Sequence, residues 1–503
     1  MRPIILSVLF TVLFIHPVNA EPKDLHEMGI KGMELVMGSQ FEEADKISDE
    51  MIRMEPENAI GYFIKTKNNF WMCAFGNMKD EYIKNFVDSS FKTIDISRKM
   101  LDKNKDDANA LFYMGNAYLF LGRWYGEDGS WLKAFWYGRK GTNYLKKALK
   151  KDPGYYDAYL GTGIYKYYAD VLPRFIKSIS FLLGLGGDRE EGIKEVKLAS
   201  LKGDLTRDEA KFVLAQAVYY EIENDFEAAL PLFEELEIKY PDNPNIKIPL
   251  IQTYRKLYKY DPAVEAVKKA LKIKSLDKFP ELHTMFYRYL GNTYADMNEY
   301  DKAVQAFDTA ITLLESQNRT KTWEYDGDLY FMGDACEMLG EIDKAREYYS
   351  KVSKDDKTGA FAGADARLKN PLTTAQKKLI RGRNYSRYEK YSLAEPIFNE
   401  LIASEKKNNP VNNTFLAEVC FNLGILKYNR KEYQDAIRIF DKVLTLNDVK
   451  ASWIKPWTHC FIGHCYRDKG DAERALKEYD IAYNFEGSGV RNAVDKARKK
   501  LKK

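Results

Sequence analysis

The segment from Leu282 to Glu315 places the strongest constraint on the fold of this chain. It repeats apolar residues at helical spacing in two runs, which are Tyr287, Leu290 and Tyr294, then Ala303, Phe307 and Ala310. Because residues three or four apart share one side of a helix, the pattern predicts two short amphipathic helices joined by a turn. Gly291 has no side chain and the alanines have small ones, so the two helices can cross closely.

The same spacing recurs along most of the chain, which gives about ten or eleven such helix pairs. The glycine of the first helix recurs in register, at Gly115, Gly161, Gly333, Gly382, Gly424 and Gly463. Residues 58–103 have a weaker pattern, and we interpret them as a degenerate copy of the unit. Helix pairs of this kind bury their apolar faces by stacking on neighbouring pairs. We therefore predict an all-α solenoid.

The order of an aromatic residue, Leu-Gly and Tyr, then Ala, Phe and Ala, resembles the tetratricopeptide repeat, a unit of 34 residues. The resemblance implies a right-handed superhelix whose first helices form a concave surface that binds peptides or proteins. Family members that bind C-terminal carboxylates carry a basic residue and an Asn one turn apart on this surface, and Arg288 and Asn292 match these positions. Arg383 would extend the basic patch, whereas Asp334 would oppose an anionic ligand. The remaining residues of a complete carboxylate clamp are not found.

Two insertions interrupt the repeats, at 123–138 and 171–190. The first is rich in aromatic residues, and its candidate partner-binding residues are Trp124, Tyr125, Trp131 and Trp136. These rings either form a small second core under a long loop, or they stack on a sugar or anchor a partner. The second insertion is apolar but contains Arg174 and Lys177. It either packs inside the superhelix or lies on a membrane surface.

Residues 106–200 are also similar to the core of the tetratricopeptide repeat protein 39 family. The matching residues are Leu160-Gly161, Leu172-Pro173 and the run from Gly187 to Gly192. That family lacks a secretory signal, so the similarity implies shared repeat geometry with a common insertion and not a shared function.

The first twenty residues are typical of a secretory signal. Arg2 is followed by an apolar run from Ile4 to Ile15, and small residues precede a predicted cleavage after Ala20. The alternative is that this segment is retained as an N-terminal membrane anchor. We expect the mature protein to be periplasmic or secreted. Without Arg2, 77 basic residues stand against 74 acidic ones, a balance that gives no reason to expect a nucleic-acid partner.

The repeats and their flanking segments divide the chain into seven parts. These are the signal (1–20), N-terminal repeats (21–105), repeats with two insertions (106–205), a regular array (206–356), a longer connection (357–371), a second array (372–487) and a basic capping helix (488–503). The capping helix would either cover the last repeat or contact anionic lipid.

The sequence lacks the motifs of common catalytic and phosphate-binding sites, and its five cysteines show no zinc-binding spacing. Cys336 and Cys420 occupy apolar repeat positions, where we expect small buried side chains. We predict no catalytic residue, metal or cofactor. The predicted function is an exported, non-enzymatic scaffold with a protein or peptide partner. The alternative is a peripheral protein that binds membrane or envelope glycan through the two insertions. The oligomeric state is left open.

Overall fold

The structure is a computed structural model that describes residues 23–75, 80–171, 187–274, 276, 279–408, 410–487 and 489–501. All regular secondary structure in these ranges is helical, which confirms the predicted all-α class. The predicted signal peptide and positions 172–186 of the second insertion lie outside the described residues. In the described part, no helix combines the length and the apolar content that crossing a bilayer requires.

The chain forms two compact units. Unit 1 comprises Met1–Leu257 and Lys269–Pro280, and unit 2 comprises Tyr258–Lys268 and Glu281–Lys503. The first helices are α1 (Lys23–Met37), α2 (Phe41–Met54), α3 (Ala59–Phe75), α4 (Asp80–Lys103), α5 (Ala108–Glu127), α6 (Trp131–Lys151), α7 (Ala158–Val171) and α8 (Arg189–Lys202). They are followed by α9 (Arg207–Val213), which continues without a break as a π-helix (Leu214–Glu223), and by α10 (Phe226–Lys239) and α11 (Pro244–Lys256).

The remaining helices, most of them in unit 2, are α12 (Tyr260–Ala270), α13 (Pro280–Asp296), α14 (Tyr300–Ser316), α15 (Trp323–Leu339), α16 (Ile342–Lys351), α17 (Ala360–Lys369), α18 (Thr374–Arg387), α19 (Tyr391–Glu405), α20 (Asn413–Asn429), α21 (Tyr433–Thr445), α22 (Ile454–Asp468), α23 (Ala472–Tyr483) and α24 (Arg491–Leu501). Most successive helices are joined in pairs by short turns, as the repeat pattern predicts. Such a pair is a helical hairpin.

One contact recurs in five helix pairs of unit 2. The glycine of the first helix faces an aromatic ring of the second, and a Cβ atom built on the glycine would lie 2.8 Å or less from that ring. The contacts are Gly291 with Phe307, Gly333 with Tyr349, Gly382 with Phe398, Gly424 with Phe440, and Gly463 with Tyr479. Each ring is buried. Glycine at this position therefore sets how closely the two helices approach.

The turns inside these pairs share a second feature. In each turn, one residue has a left-handed backbone conformation. Its φ is 65° at Asn298, 92° at Gly340 and 63° at Lys431. The amide of the following residue then donates to the carbonyl five residues earlier, as Glu299 does to Tyr294. This pattern is a Schellman-type ending, which satisfies carbonyl groups that the helix end leaves free.

The insertion at 123–138 extends α5 and α6. The two helices have 20 and 21 residues, and only the short turn of Asp128, Gly129 and Ser130 separates them. Gly129 has a φ of 77°, and a Cβ atom on Gly122 would lie 2.9 Å from the backbone nitrogen of Gly138. The expectation of a separate core under a long loop is wrong, because the inserted residues keep helical hydrogen bonding and pack helix against helix.

The segment 357–371 and the C-terminal segment both contain a helix. In the first, α17 buries Ala360 and Ala364 in the apolar cluster formed by α14 to α16, so it is more than a connection. In the second, α24 buries Val494 and Ala497 against α22 and α23. This is the packing that a terminal cap provides to a repeat array.

Unit 1 adds contacts between helices that are far apart in the sequence. Asn243 donates from its side-chain amide to the carbonyl of Met37 at 2.6 Å, and Lys239 pairs with Glu34 at 3.1 Å. In a simple repeat array each unit contacts only its neighbours. Unit 1 therefore does not behave as a purely linear stack.

We expect Gly291→Leu to destabilise unit 2 by about 1–3 kcal/mol, because the new side chain overlaps the ring of Phe307. Hydrogen exchange should accelerate mainly in α13 to α16, since repeat energetics depend on nearest neighbours. The matched control is Gly327→Leu, since a Cβ atom at Gly327 has open space around it. Equal loosening in both variants, or uniform loosening across the chain, would contradict this account.

Candidate functional site

Unit 1 contains a pocket of about 640 Å³. It lies between α5, the start of α6, α7 and the π-helical segment. Its apolar wall includes Leu119, Phe120, Phe135, Ile164, Phe212 and Val213. Pockets of a few hundred Å³ with mostly apolar walls and a few polar groups are the usual form of a ligand site.

The π-helix forms one side of this pocket through Gln216, Ala217 and Glu221. Segments with π-helical hydrogen bonding are rare and are found often at functional sites. The side chain of Gln216 donates to Glu221 at 2.8 Å, while its oxygen is buried and has no hydrogen-bond donor among the residues that the structure describes. The pocket wall therefore contains a buried acceptor oxygen that has no donor within the described residues. The π-helix could not be predicted from the sequence, because Val213, Ala217 and Tyr220 fit α-helical spacing as well.

The floor of the pocket contains a buried ion pair. The ammonium group of Lys67 lies 2.6 Å from a carboxylate oxygen of Glu209, and both side chains are buried. The same ammonium group is 4.1 Å from the ring centre of Phe120, which lines the pocket. Burial lowers the pKa of Lys67, although the charge of Glu209 opposes that shift. Removal of one partner would leave the other charge buried and uncompensated.

Helices α5 and α6 form a helical hairpin, and its four predicted partner-binding aromatic residues do not all line the pocket. Trp131 lines the pocket and is 73% exposed. Tyr125 stacks on Tyr137 at 5.2 Å between ring centres, and Trp136 packs edge-on against the same ring at 4.8 Å. Trp124 is half-buried on α5 and does not line the pocket. The structure therefore brings one of the four predicted residues to the pocket.

Arg288 is committed to an ion pair inside unit 2. Its guanidinium group donates to both carboxylate oxygens of Asp328, at 2.6 and 2.8 Å, and to the carbonyl of Glu324 at 3.1 Å. Both side chains of the ion pair are largely buried, and the ring of Trp323 covers the guanidinium group. Arg288 is therefore already engaged by a carboxylate of its own unit, and a role in binding a peptide carboxylate stays a prediction. Asn292 is half-buried on the same helix.

Arg383 has a different environment. It is half-buried, and its Nε has no hydrogen-bond partner in the described part of unit 2. Burial and the neighbouring charge of Arg387 lower its pKa, while Glu418 and Asp296 act in the opposite direction. Burial in turn raises the pKa of Glu418. A partly desolvated cation without a close counter-ion is stabilised when an anionic group binds to it.

The cysteines do not form a reactive site. All five are free and buried. Burial raises the pKa of the Cys73 thiol to about 12, and that of Cys336 to about 11. The thiolate is the reactive form, so these side chains behave as small apolar groups. The prediction that Cys336 and Cys420 are buried is confirmed.

The comparisons with known proteins agree with the repeat geometry. Residues 290–314 match the family model described as "Tetratricopeptide repeat". The regulatory protein RapD of Bacillus subtilis is 32% identical over 83 residues, which cover 16% of this chain and 23% of that protein. The chain therefore matches less than a quarter of the length of this curated relative.

Solved structures show similarity at low identity. A tetratricopeptide repeat protein from Parabacteroides merdae is 15% identical with a TM-score of 0.24, and the match covers 59% of this chain and 100% of that one. The tetratricopeptide repeat domain of P58(IPK) is 14% identical with a TM-score of 0.23, with coverage of 92% and 99%. The family-model match places a tetratricopeptide repeat at residues 290–314, and the glycine–ring contact of that unit recurs in four further helix pairs of unit 2. The similarity of residues 106–200 to the tetratricopeptide repeat protein 39 family stays a prediction.

The different environments of the two arginines lead to opposite expectations for stability. We expect Arg288→Ala to destabilise unit 2 by about 3–5 kcal/mol, because Asp328 would be buried without its partner. Arg383→Met should leave the free energy of unfolding within about 0.5 kcal/mol or raise it, because no hydrogen bond of its Nε is lost. Chemical denaturation of both variants measures this difference. A similar loss of stability in both would show that Arg383 has a structural partner.

Proposed function

We propose that this protein is a non-enzymatic interaction scaffold that binds an extended segment of another protein through the pocket of unit 1. The pocket between α5, α6, α7 and the π-helix is the observation that carries this proposal. Its apolar wall accepts a large apolar side chain of the partner, because burial of such a side chain contributes about 1.5–3 kcal/mol.

The polar groups of the pocket suit the backbone of a peptide. The carboxylate of Glu221 lines the pocket and is exposed, so it accepts a hydrogen bond from a peptide N–H. Trp131 lies at the edge of the pocket, where a large exposed ring covers the bound segment. These contacts require binding alone and no bond-making step.

Unit 2 has its own proposed contact, which is Arg383. A carboxylate of a bound segment supplies the counter-ion that Arg383 lacks, and Asn292 and Arg387 are further candidates on the same unit. Loss of Arg383 should weaken the binding of acidic segments and leave the pocket of unit 1 unaffected.

A pocket-filling variant tests the proposal. Gly138 lines the pocket, and a Cβ atom there has open space around it, so Gly138→Phe fills the pocket with little strain. We expect peptides selected on the wild-type protein from a displayed random library to be rich in large apolar residues. Their affinity for Gly138→Phe should fall by about tenfold or more, which corresponds to about 1.4 kcal/mol.

Two controls make this experiment specific. Gly138→Ala leaves the pocket open, and Gly327→Phe adds the same ring in unit 2 at a position with open space around its Cβ. Both should keep wild-type affinity. Selected peptides that bind Gly138→Phe as tightly as the wild-type protein would place the binding site elsewhere and end the proposal for the pocket.

We also propose that the scaffold acts after export, in the periplasm or outside the cell. The charged start, apolar run and small residues of positions 1–20 support this. We expect N-terminal sequencing of the protein from its native cells to find Glu21 first, in the soluble envelope fraction. Recovery of a cytosolic protein that retains Met1 would contradict export.

A further inference from the structure

Helix α6 carries charge of one sign only. Its 21 residues contain no aspartate or glutamate, and its basic residues are Lys133, Arg139, Lys140, Lys146, Lys147, Lys150 and Lys151. The whole chain has a net charge of only +4, so this helix is a strong local concentration of positive charge. Basic helices with an apolar portion are typical of membrane surfaces.

The outward-facing residues of α6 form a continuous stripe. They are Leu132, Trp136, Arg139, Asn143, Lys146 and Lys150, whose spacing of three and four keeps them on one side of a helix. We call this stripe the outer face of α6. The buried residues of α6, such as Gly141, Leu145 and Ala148, lie on the opposite side of the helix.

The outer face has an apolar end and a basic end. Leu132 is 87% exposed and Trp136 is 53% exposed, and both lie in the first two turns, next to the end of the hairpin. Arg139, Lys146 and Lys150 follow, all exposed. Within the described residues, none of these three forms a salt bridge, whereas Lys151 pairs with Asp106 at 2.6 Å.

The acidic residues at the end of the hairpin are engaged locally. Glu127 pairs with Arg123 at 3.1 Å, and Asp128 accepts a hydrogen bond from Ser130 at 2.9 Å. They lie at the end of α5 and in the turn, and the outer face of α6 itself contains no acidic residue. Its cations therefore remain available to an anionic surface.

We propose that the outer face of α6 docks on an anionic lipid bilayer, beyond the protein-binding role proposed above. Leu132 and Trp136 enter the interface between headgroups and acyl chains, where tryptophan is favoured. Arg139, Lys146 and Lys150 contact the phosphate groups, and the contact is peripheral because only one side of the helix takes part.

A bilayer fits these residues better than an acidic protein does. Leu132 and Trp136 are exposed and do not line the pocket of unit 1, so a fluid interface accommodates them without a matching cavity. The cations lie in a line along the helix, which suits many equivalent headgroups. Each cation near such a surface strengthens binding roughly fivefold.

Vesicle co-sedimentation of the purified protein tests the proposal. We expect binding to vesicles of phosphatidylcholine and phosphatidylglycerol in equal parts, weaker binding to phosphatidylcholine alone, and release at high salt.

The triple variant Arg139→Gln, Lys146→Gln and Lys150→Gln should bind the anionic vesicles about a hundredfold more weakly than the wild-type protein does. The double variant Leu132→Ser and Trp136→Ser should also lose binding, because it removes the apolar contact. All of these side chains are substantially exposed, so both variants should keep the wild-type melting temperature.

Matched controls separate the outer face of α6 from other surfaces. Ile238 and Leu201 of unit 1 are also exposed, so Ile238→Ser and Leu201→Ser should bind vesicles like the wild type. Lys499→Glu with Lys500→Glu tests the other basic helix, α24, and should likewise have no effect. Gly138→Phe should bind vesicles normally, which keeps this test independent of the peptide-binding pocket. The proposal would be overturned if the wild-type protein did not bind vesicles, or if only the α24 variant lost binding. It would also be overturned if the triple variant bound as tightly as the wild type, or if an acidic protein bound preferentially and displaced the vesicles.

Discussion

The contact on which the repeat array depends is that of a glycine in one helix with a buried ring in the next. In unit 2 the ring occupies the space that a side chain on Gly291 or Gly424 would need, so the pair closes only with glycine there. A closed pair still has apolar faces on both sides, and it buries them by stacking on its neighbours. The length and regularity of the array follow from this one local geometry. In unit 1, Leu145 has the equivalent role, since it faces both Gly115 and Gly161.

The pocket of unit 1 follows from a change in this contact. Between residues 115 and 192, helices meet through pairs of glycines, such as Gly122 with Gly138 and Gly163 with Gly192, instead of through a glycine and a ring. Two backbones then approach closely. Gly138 lines the pocket, and a Cβ atom built on it has open space around it.

The sequence predicted the elements that depend on local spacing, and it failed where a distant partner decides the outcome. The glycine, ring and turn positions of the unit from 282 to 315 were correct because each acts within its own helix pair. The ion pair of Arg288 was not predicted, because its partner Asp328 is 40 residues away in the sequence. Spacing also could not separate a lengthened hairpin at 123–138 from a loop, since both keep aromatic residues at similar intervals. The π-helix gave no signal, because it shares the apolar spacing of an α-helix.

Overall composition does not describe the charge of one helix. The nearly equal numbers of acidic and basic residues give no reason to expect a nucleic-acid partner, but that count averages over the whole chain. Charges on a surface are screened over about 8–10 Å in physiological salt, so acidic residues farther away do not cancel the charge of α6. One helix thus presents two different surfaces: Phe135 and Gly138 face the pocket, while Leu132, Trp136 and Arg139 face outward. Because the pocket-lining residues and the residues of the outer face are different side chains, α6 can contribute to a peptide pocket and hold a lipid surface at the same time.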